Sequence, residues 1–300
     1  TSGPGISLMS EFLGLAYFAE VPLVIFNIQR GGPSTGMPTR TQQSDILSCA
    51  YASHGDTKHV LLFPEDPQEC FEFSAEAFNL AERLQTPVFV ISDLDIGMND
   101  WVTDKFEWDD EQKYDRGKVL KAEDLDKMDS FGRYLDVDDD GICYRTYPGT
   151  HPEKGAFFTR GTSHDEYARY TENGDINEQT LTRLVKKFRT ASELVPDPII
   201  NLSEKQGSSG VIFYGSTSAA MYEAKDILNE NNIEVDLMRI RSFPFNLDVW
   251  EFIENHDLIY VIEQNRDSQM RTLIMAEGGI SAEKLRSLVW FNGDPIQAKF

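Results

Sequence analysis

Residues 1–29 read TSGPGISLMSEFLGLAYFAEVPLVIFNIQ, and this stretch predicts a turn, a helix and a buried strand in that order. Apolar side chains cover almost every face of residues 6–20, which predicts a helix buried by its own sheet and by another subunit. Residues 21–28 are a short apolar run rich in β-branched side chains, as is typical of a central parallel strand. A glycine-rich loop, 29–36, follows, so the stretch indicates an α/β sheet.

The alternation of strand and helix continues on both sides of a charged middle section. Beyond the opening stretch, the sequence patterns predict strands at 59–63, 87–92, 211–214, 234–240, 258–263 and 285–291, and helices at 66–84, 177–192, 218–231, 247–255 and 269–277. We therefore expect two α/β domains, residues 1–100 and 201–300, with the strands and helices of the second starting near Ser208. An acidic, irregular connection, 101–200, joins them.

Composition excludes several classes of protein. The 300 residues include 50 acidic and 28 basic side chains, a formal net charge of −22, which repels the phosphate backbone of nucleic acids. No apolar run approaches the roughly 20 residues that a membrane span needs. Three cysteines without a CxxC pair favour a reduced, cytoplasmic chain that binds neither zinc nor an iron–sulfur cluster by itself. The opening turn, without Met, is typical of mid-domain, so we expect an N-terminally incomplete chain.

Arg30 is the first candidate site residue because it follows a predicted buried strand, where open α/β sheets bind their ligands. Its guanidinium can make a bidentate contact with the carboxylate or phosphate of a ligand. The alternative is that Arg30 pairs with an acidic side chain of this chain. Ser34 and Thr35 lie in the adjoining glycine-rich loop, which lacks the P-loop ending but whose backbone N–H groups could line an anion site. Gly3 and Pro4 form the turn at a helix N-terminus, which favours polar ligand atoms.

A second candidate is the acidic segment DVDDDGI, residues 136–142, which matches the first half of a calcium loop. Asp136, Asp138 and Asp140 would supply carboxylate oxygens to Ca²⁺ or Mg²⁺, and Ile142 its carbonyl. Tyr147 stands where such loops place a bidentate glutamate. The alternative is an acidic surface turn with glycine in the left-handed conformation.

Several longer motifs carry a family resemblance. The opening stretch resembles the pyrimidine-binding domain of thiamine-diphosphate enzymes. More closely, the chain resembles the α subunits of 2-oxoglutarate:ferredoxin oxidoreductases, in the 2-oxoacid:acceptor oxidoreductase family. The motifs are NIQRGGPSTGMPTRTQQSDI (27–46), SHGDTKHVLLFPEDPQECFE (53–72), AFNLAERLQTPVFVISD (77–93), FFTRGTSHDEYARYTENG (157–174) and VIEQNRDSQM (261–270).

The resemblance implies a doubly wound, thiamine-diphosphate pyrimidine-binding domain followed by an α/β domain like the transketolase C-terminal domain, which serves mainly assembly. It implies oxidative decarboxylation of a 2-oxoacid, with coenzyme A taking the acyl group and ferredoxin the electrons. A β subunit would hold the diphosphate, its Mg²⁺ and a [4Fe-4S] cluster, in a dimer of αβ heterodimers. This chain would supply Gly3 and Pro4 to the pyrimidine and Arg30 as the catalytic arginine that binds the substrate carboxylate.

Some alternatives stay open at this point. The family's activating glutamate and a substrate-contacting threonine lie upstream of Thr1, so the chain alone should be inactive. The substrate could be 2-oxoglutarate, or pyruvate or a branched-chain 2-oxoacid in a paralogue. A distal carboxylate would need a second cation, for which Arg40 is a candidate unless it pairs with Asp45. An interpretation from a different class of function is a non-catalytic scaffold subunit that binds a metal ion.

Overall fold

A computed structural model of the chain describes residues 1–203 and 209–300, so the predicted start near Ser208 lies outside the described residues. The strands are β1 (Leu23–Gln29), β2 (Val60–Leu62), β3 (Pro87–Asp93), β4 (Ile199–Asn201), β5 (Ser209–Tyr214), β6 (Asp236–Ile240), β7 (Ser242–Phe243), β8 (Leu258–Glu263) and β9 (Leu285–Val289). The helices are α1 (Gly3–Phe18), α2 (Ile46–Ala50), α3 (Pro67–Leu84), α4 (Leu94–Met98), α5 (Ala122–Asp126), α6 (Gly174–Ala191), α7 (Thr217–Glu230), α8 (Leu247–Glu254) and α9 (Gln269–Gly278).

The first sheet has the strand order β1-β3-β2-β7, and β1, β3 and β2 run parallel. Every residue of β3 is buried, which explains the apolar run over residues 87–91. α3 starts where the Asp66 side chain accepts a hydrogen bond from the Glu69 N–H, and it ends at Gln85 in the left-handed conformation. The short β7 joins this sheet antiparallel to β2 although it lies in the second half of the chain.

The second sheet has the order β4-β6-β5-β8-β9, parallel except for the edge strand β4. The chain leaves β5 toward β6 on one side, and the next parallel strand, β8, pairs on the other side. The carboxyl ends of β5 and β8 therefore flank a topological switch point, where doubly wound sheets form a crevice. The predicted doubly wound architecture is confirmed, and no helix within the described ranges is long and apolar enough to cross a bilayer.

A buried network of polar side chains from both units fills that crevice. The Gln43 side chain donates to Asp93 Oδ2 at 3.2 Å, and its backbone N–H donates to the Gln264 carbonyl at 2.8 Å. Ser216 Oγ donates to Asp93 at 2.6 Å and accepts from Gln264 Nε2 at 3.0 Å. All four residues are buried. The crevice of the second sheet is thus closed by Gln43.

A buried ion cluster fixes α6 against the end of α1. Glu20 is fully buried, has φ 55°, and accepts from Lys187 Nζ at 2.8 Å and from the Arg183 guanidinium. Arg133 donates to the Glu20 carbonyl at 2.9 Å. Burial by itself would raise the pKa of the Glu20 carboxyl, but the charges of Lys187 and Arg183 outweigh burial and lower that pKa below its usual range.

Candidate functional site

An open cleft of about 930 Å³ lies between the two α/β units. Of the residues that the sequence analysis singled out, it brings together Gly3, Pro4, Arg30 and Ser34. The second unit contributes its wall through residues that follow β8 and through Phe291. The cleft is therefore the candidate site.

Backbone pairing brings the start of α1 to the cleft. The Thr1 amino group donates to the Phe26 carbonyl at 2.8 Å, and the Ile28 N–H donates to the Thr1 carbonyl at 2.8 Å. Thr1 thus lies alongside β1, and α1 begins two residues later. A Cβ added to Gly3 would lie 2.8 Å from an Asp45 carboxylate oxygen, so a larger residue here would displace the Asp45 side chain.

Arg30 directly follows β1 and lines the cleft with its side chain half-buried. Its Nε atom is buried and has no hydrogen-bond partner among the described residues. No described residue accepts a hydrogen bond from the Arg30 guanidinium, so its terminal N–H groups are available to an anion in the cleft. The ion pair that was the alternative reading of Arg30 is absent from the described part of the chain.

Asp45 is a cleft residue that the sequence analysis did not assign to the site. Its Oδ2 accepts from Asn27 Nδ2 at 3.1 Å, and its carboxylate accepts from the Gly3 N–H. Burial raises the pKa of the Asp45 carboxyl, and the hydrogen bonds from Asn27 and Gly3 and the charge of Arg30 offset part of that shift. Asp45 therefore fixes the first turn of α1 beside Arg30.

The glycine-rich loop folds back on itself beside Arg30. The Gly31 N–H donates to the Arg40 carbonyl at 2.8 Å, and the Met37 N–H donates to the Gly31 carbonyl at 2.7 Å. Gly36 has φ +52°, and a Cβ there would lie 2.0 Å from the Gly31 carbonyl oxygen, so the closure requires glycine. Ser34 lines the cleft, whereas Thr35 lies in the same loop without being part of the wall.

Arg266, to which the sequence analysis gave no role, lies in the cleft wall, whereas Arg40, the candidate for a second cation, does not. Arg40 pairs with Asp294, Nη1 to Oδ1 at 2.8 Å, rather than with Asp45, and it is not part of the cleft wall. Arg266 lies in the wall, three residues after the end of β8. Its position after a strand at the switch point was the signal that could have identified it.

The predicted cation site is not supported, because an ammonium group lies among the proposed ligands. Lys118 Nζ is 2.7 Å from Asp138 Oδ2 and 2.8 Å from both carboxylate oxygens of Asp140. It also donates to the Ile142 carbonyl at 3.0 Å, the oxygen expected to bind the metal. Lys118 therefore compensates the charge that a Ca²⁺ or Mg²⁺ ion was expected to compensate.

Asp136, the remaining proposed ligand, is used within the loop. Its carboxylate accepts from the Asp140 N–H at 3.1 Å and the Gly141 N–H at 2.9 Å, and Lys186 Nζ lies 3.6 Å away. Gly141 has φ +80°. In residues 1–203 and 209–300 no group of three or more His, Cys, Asp or Glu side chains is arranged to hold a metal ion. These contacts favour the acidic turn of the alternative interpretation over a metal site.

Replacing Lys118 with methionine should destabilise the chain by about 1–2 kcal/mol, because the Asp138 and Asp140 carboxylates would lose a partly exposed charged partner. A chelator should leave the melting temperature of the unsubstituted chain unchanged, contrary to the expectation for a calcium loop. Thermal unfolding with and without the chelator measures both effects. Lys105→Met, at an exposed lysine of the same connection, is the control and should change stability by less than about 0.5 kcal/mol.

Comparison with known proteins places this geometry in a family. The family described as "Pyruvate flavodoxin/ferredoxin oxidoreductase, thiamine diP-bdg" matches residues 1–190. The "2-oxoacid:ferredoxin oxidoreductase 2, subunit alpha" of Aeropyrum pernix is 33% identical over 302 residues, which cover 99% of this chain and 45% of that protein. The "2-oxoglutarate synthase subunit KorA" of Methanothermobacter thermautotrophicus is 33% identical over 276 residues, covering 88% of this chain and 68% of KorA.

A solved structure agrees with these relatives. The 2-oxoglutarate:ferredoxin oxidoreductase from Magnetococcus marinus, with 2-oxoglutarate, coenzyme A and succinyl-CoA bound, is 27% identical with a TM-score of 0.87. The match covers 99% of this chain and 50% of that one, so the chain spans about half the length of several proteins that it matches. The resemblance seen in the sequence motifs is confirmed. The chain belongs to the thiamine-diphosphate-binding pyruvate flavodoxin/ferredoxin oxidoreductase family, among the α subunits of 2-oxoacid:ferredoxin oxidoreductases.

Proposed function

We propose that this chain is part of the α subunit of an enzyme that oxidatively decarboxylates 2-oxoglutarate to succinyl-CoA and reduces ferredoxin. The cytoplasm is the proposed location, because Cys49, Cys70 and Cys143 are free thiols. The proposed domain boundaries stay near residues 100 and 200, with β7 crossing to the first sheet. The names of the KorA relatives and of the Magnetococcus structure support 2-oxoglutarate as the substrate.

One observation carries the proposal. Arg30 presents a guanidinium to the cleft, and its buried Nε has no partner within the described ranges. A 2-oxoacid brings a planar carboxylate that accepts two parallel hydrogen bonds from such a group. Arg30 is therefore the proposed catalytic arginine that binds and orients the substrate carboxylate, and Ser34 and Thr35 stay proposed substrate-binding residues of the adjoining loop.

The part of the cleft around the start of α1 fits the pyrimidine of thiamine diphosphate. Gly3 and Pro4 expose backbone and ring atoms at the start of α1, and Leu8 and Phe291 add apolar surface. Asp45 holds this turn through the Gly3 N–H, so the turn is fixed before a ligand arrives. When bound, the cofactor supplies the electron sink for decarboxylation. Its diphosphate, Mg²⁺ and the [4Fe-4S] cluster are proposed for the partner β subunit, with coenzyme A as cosubstrate.

Two other functions remain as alternatives that the experiment below distinguishes. A paralogue specific for pyruvate or a branched-chain 2-oxoacid would use Arg30 in the same way, because these substrates share the carboxylate next to the 2-oxo group. A metal-binding scaffold subunit has lost its main support, since Lys118 takes the place of the cation in the acidic turn.

The experiment is co-purification of the native complex, followed by ferredoxin or viologen reduction with a panel of 2-oxoacids and coenzyme A. The proposal predicts the highest kcat/KM with 2-oxoglutarate and dependence on thiamine diphosphate. Preference for pyruvate or a branched-chain acid would replace the substrate but keep the reaction. A complex that reduces neither acceptor with any 2-oxoacid would contradict the enzymatic proposal.

The partner is proposed to cover the outer face of α1. Leu8, Phe12 and Leu15 lie on one face of this helix and are exposed, Phe12 to 70%. A row of exposed large apolar side chains on one helix is typical of a subunit contact. In the chain by itself α1 is buried on one side only, so the predicted burial of its outer face by another subunit stays a proposal.

Phe12→Asp should prevent assembly while the chain still folds, because the substitution places an unpaired carboxylate in an apolar contact but not in the core. Co-purification of the partner and size-exclusion chromatography measure assembly, and circular dichroism checks the fold. Phe78→Asp makes the same exchange at an exposed phenylalanine of α3 and should leave assembly unchanged. A Phe12→Asp chain that assembles like the unsubstituted one would refute this contact.

A further inference from the structure

The cleft carries one arginine on each of its two walls. Arg30 follows β1 of the first unit, and Arg266 follows β8 of the second. Each arginine is accompanied by one aspartate of the wall, Asp45 beside Arg30 and Asp267 beside Arg266. The charged side chains of the described wall therefore balance, although the chain as a whole has a net charge of −22. An anion can enter this cleft without meeting an excess of negative charge.

The backbone that presents Arg266 is fixed. The preceding Asn265 is buried, and its side chain donates to the Gln43 carbonyl at 3.0 Å and to Glu263 at 2.8 Å. Gln264 is buried in the network that closes the crevice. Arg266 is thus the first exposed residue after a rigid strand end, and its position is set by the contact between the two units.

Asp267 orients the Arg266 guanidinium but does not use all of its N–H donors. Its Nε donates to Asp267 Oδ1 at 2.7 Å and its Nη2 to Asp267 Oδ2 at 3.0 Å. A guanidinium has five N–H donors, so this pairing leaves others for a second acceptor. The side chains of the pair are 72% and 61% exposed. Such an exposed ion pair is weak, so a ligand carboxylate can share or replace Asp267.

Building on the proposed function, we infer that Arg266 binds the distal carboxylate of a dicarboxylic 2-oxoacid whose other end is held by Arg30. Arg30 recognises the carboxylate that every 2-oxoacid has. Arg266, on the opposite wall, recognises a second negative charge, which 2-oxoglutarate has and pyruvate lacks. Arg40, the other arginine considered for this role, points to Asp294 instead. Arg266 is therefore a specificity-determining residue.

The test uses the complete enzyme with Arg266→Gln, and compares 2-oxoglutarate with 2-oxobutanoate, which lacks the distal carboxylate. KM is measured for each acid, or the inhibition constant against 2-oxoglutarate if 2-oxobutanoate is not oxidised. We expect the KM for 2-oxoglutarate to rise about tenfold or more, and the constant for 2-oxobutanoate to stay unchanged. Arg266→Lys, which keeps the charge, should restore part of the loss.

Two further variants separate specific binding from other effects. Arg266→Gln/Asp267→Asn removes the charge that an unpaired Asp267 would present, and should show the same selective loss. Arg40→Gln should leave both acids unaffected. Equal weakening of both acids in the double variant, no change in either, or a rise only in the KM for coenzyme A would overturn the inference. These outcomes count against the inference only when the unsubstituted enzyme oxidises 2-oxoglutarate. An unsubstituted enzyme that does not oxidise 2-oxoglutarate would overturn the proposed function itself.

Discussion

Glu20→Gln should lower the free energy of unfolding by about 3–5 kcal/mol, because it leaves the Arg183 and Lys187 charges buried without their counter-charge. Both cations lie on α6 and reach across to the end of α1. The exchange keeps the size of the side chain, so the loss would come from charge and hydrogen bonding rather than from a cavity. Denaturant unfolding followed by circular dichroism measures the change.

The lowered pKa of Glu20 gives this prediction a pH dependence. Since the folded state lowers that pKa from its ordinary value of 4.5, the carboxylate contributes its stability above that pH. The contribution is lost as the pH falls through the folded-state pKa. Glu20→Gln should therefore flatten the acid side of the stability profile. Glu11→Gln, at an exposed position of α1, is the matched control, and an equal small effect of both variants would contradict the buried cluster.

Arg30→Ala in the assembled enzyme should lower kcat/KM for the 2-oxoacid about 10- to 150-fold. A charge-assisted, bidentate contact with the substrate carboxylate contributes roughly 1.5–3 kcal/mol of binding free energy, and this variant would lose that contact. Steady-state viologen reduction measures the change. Thiamine content and assembly should stay intact, because the Arg30 Nε makes no hydrogen bond that the described structure needs.

Arg30→Lys serves as the graded control for this contact. Lysine keeps the positive charge but lacks the planar guanidinium that makes two parallel hydrogen bonds. The kcat/KM of Arg30→Lys should therefore lie between those of Arg30→Ala and the unsubstituted enzyme. Unchanged kinetics in Arg30→Ala would show that the arginine is structural. A loss of thiamine in Arg30→Ala would instead mean that the residue supports the cofactor.

The elements with strong local patterns could be predicted from the sequence. β1 and β3 are neighbouring parallel strands of the first sheet, and each contains an apolar run that marks it as a strand, although only β3 is buried along its whole length. α3 has an amphipathic pattern, a capping aspartate and proline in its first turn, which mark its bounds. Arg30 could be singled out for a related reason, since a charged residue directly after such a strand lies at the functional edge of the sheet.

The remainder depends on contacts between residues far apart in the chain. β7 has two residues and exists only because it pairs with β2, which precedes it by about 180 positions. Lys118 reaches the acidic turn from 18 or more residues upstream, so the turn's own sequence still matched a calcium loop. Arg266 belongs to the cleft only because the second unit docks on the first. No local pattern encodes the pairing of β7 with β2 or the approach of Lys118, whereas the position of Arg266 shortly after a strand end was a local signal that the sequence analysis did not use.

The closure of the second sheet's crevice by Gln43 makes that side chain an intramolecular ligand. Because it is tethered to the same polypeptide, its effective concentration at the crevice far exceeds that of any free metabolite with an amide group. The second unit has thereby exchanged the binding site that its topology offers for a permanent internal contact. We therefore expect small molecules to bind in the cleft between the units, where both contribute side chains. If Arg266 binds the substrate as we infer, a change in the second unit would alter substrate preference without creating a new pocket there.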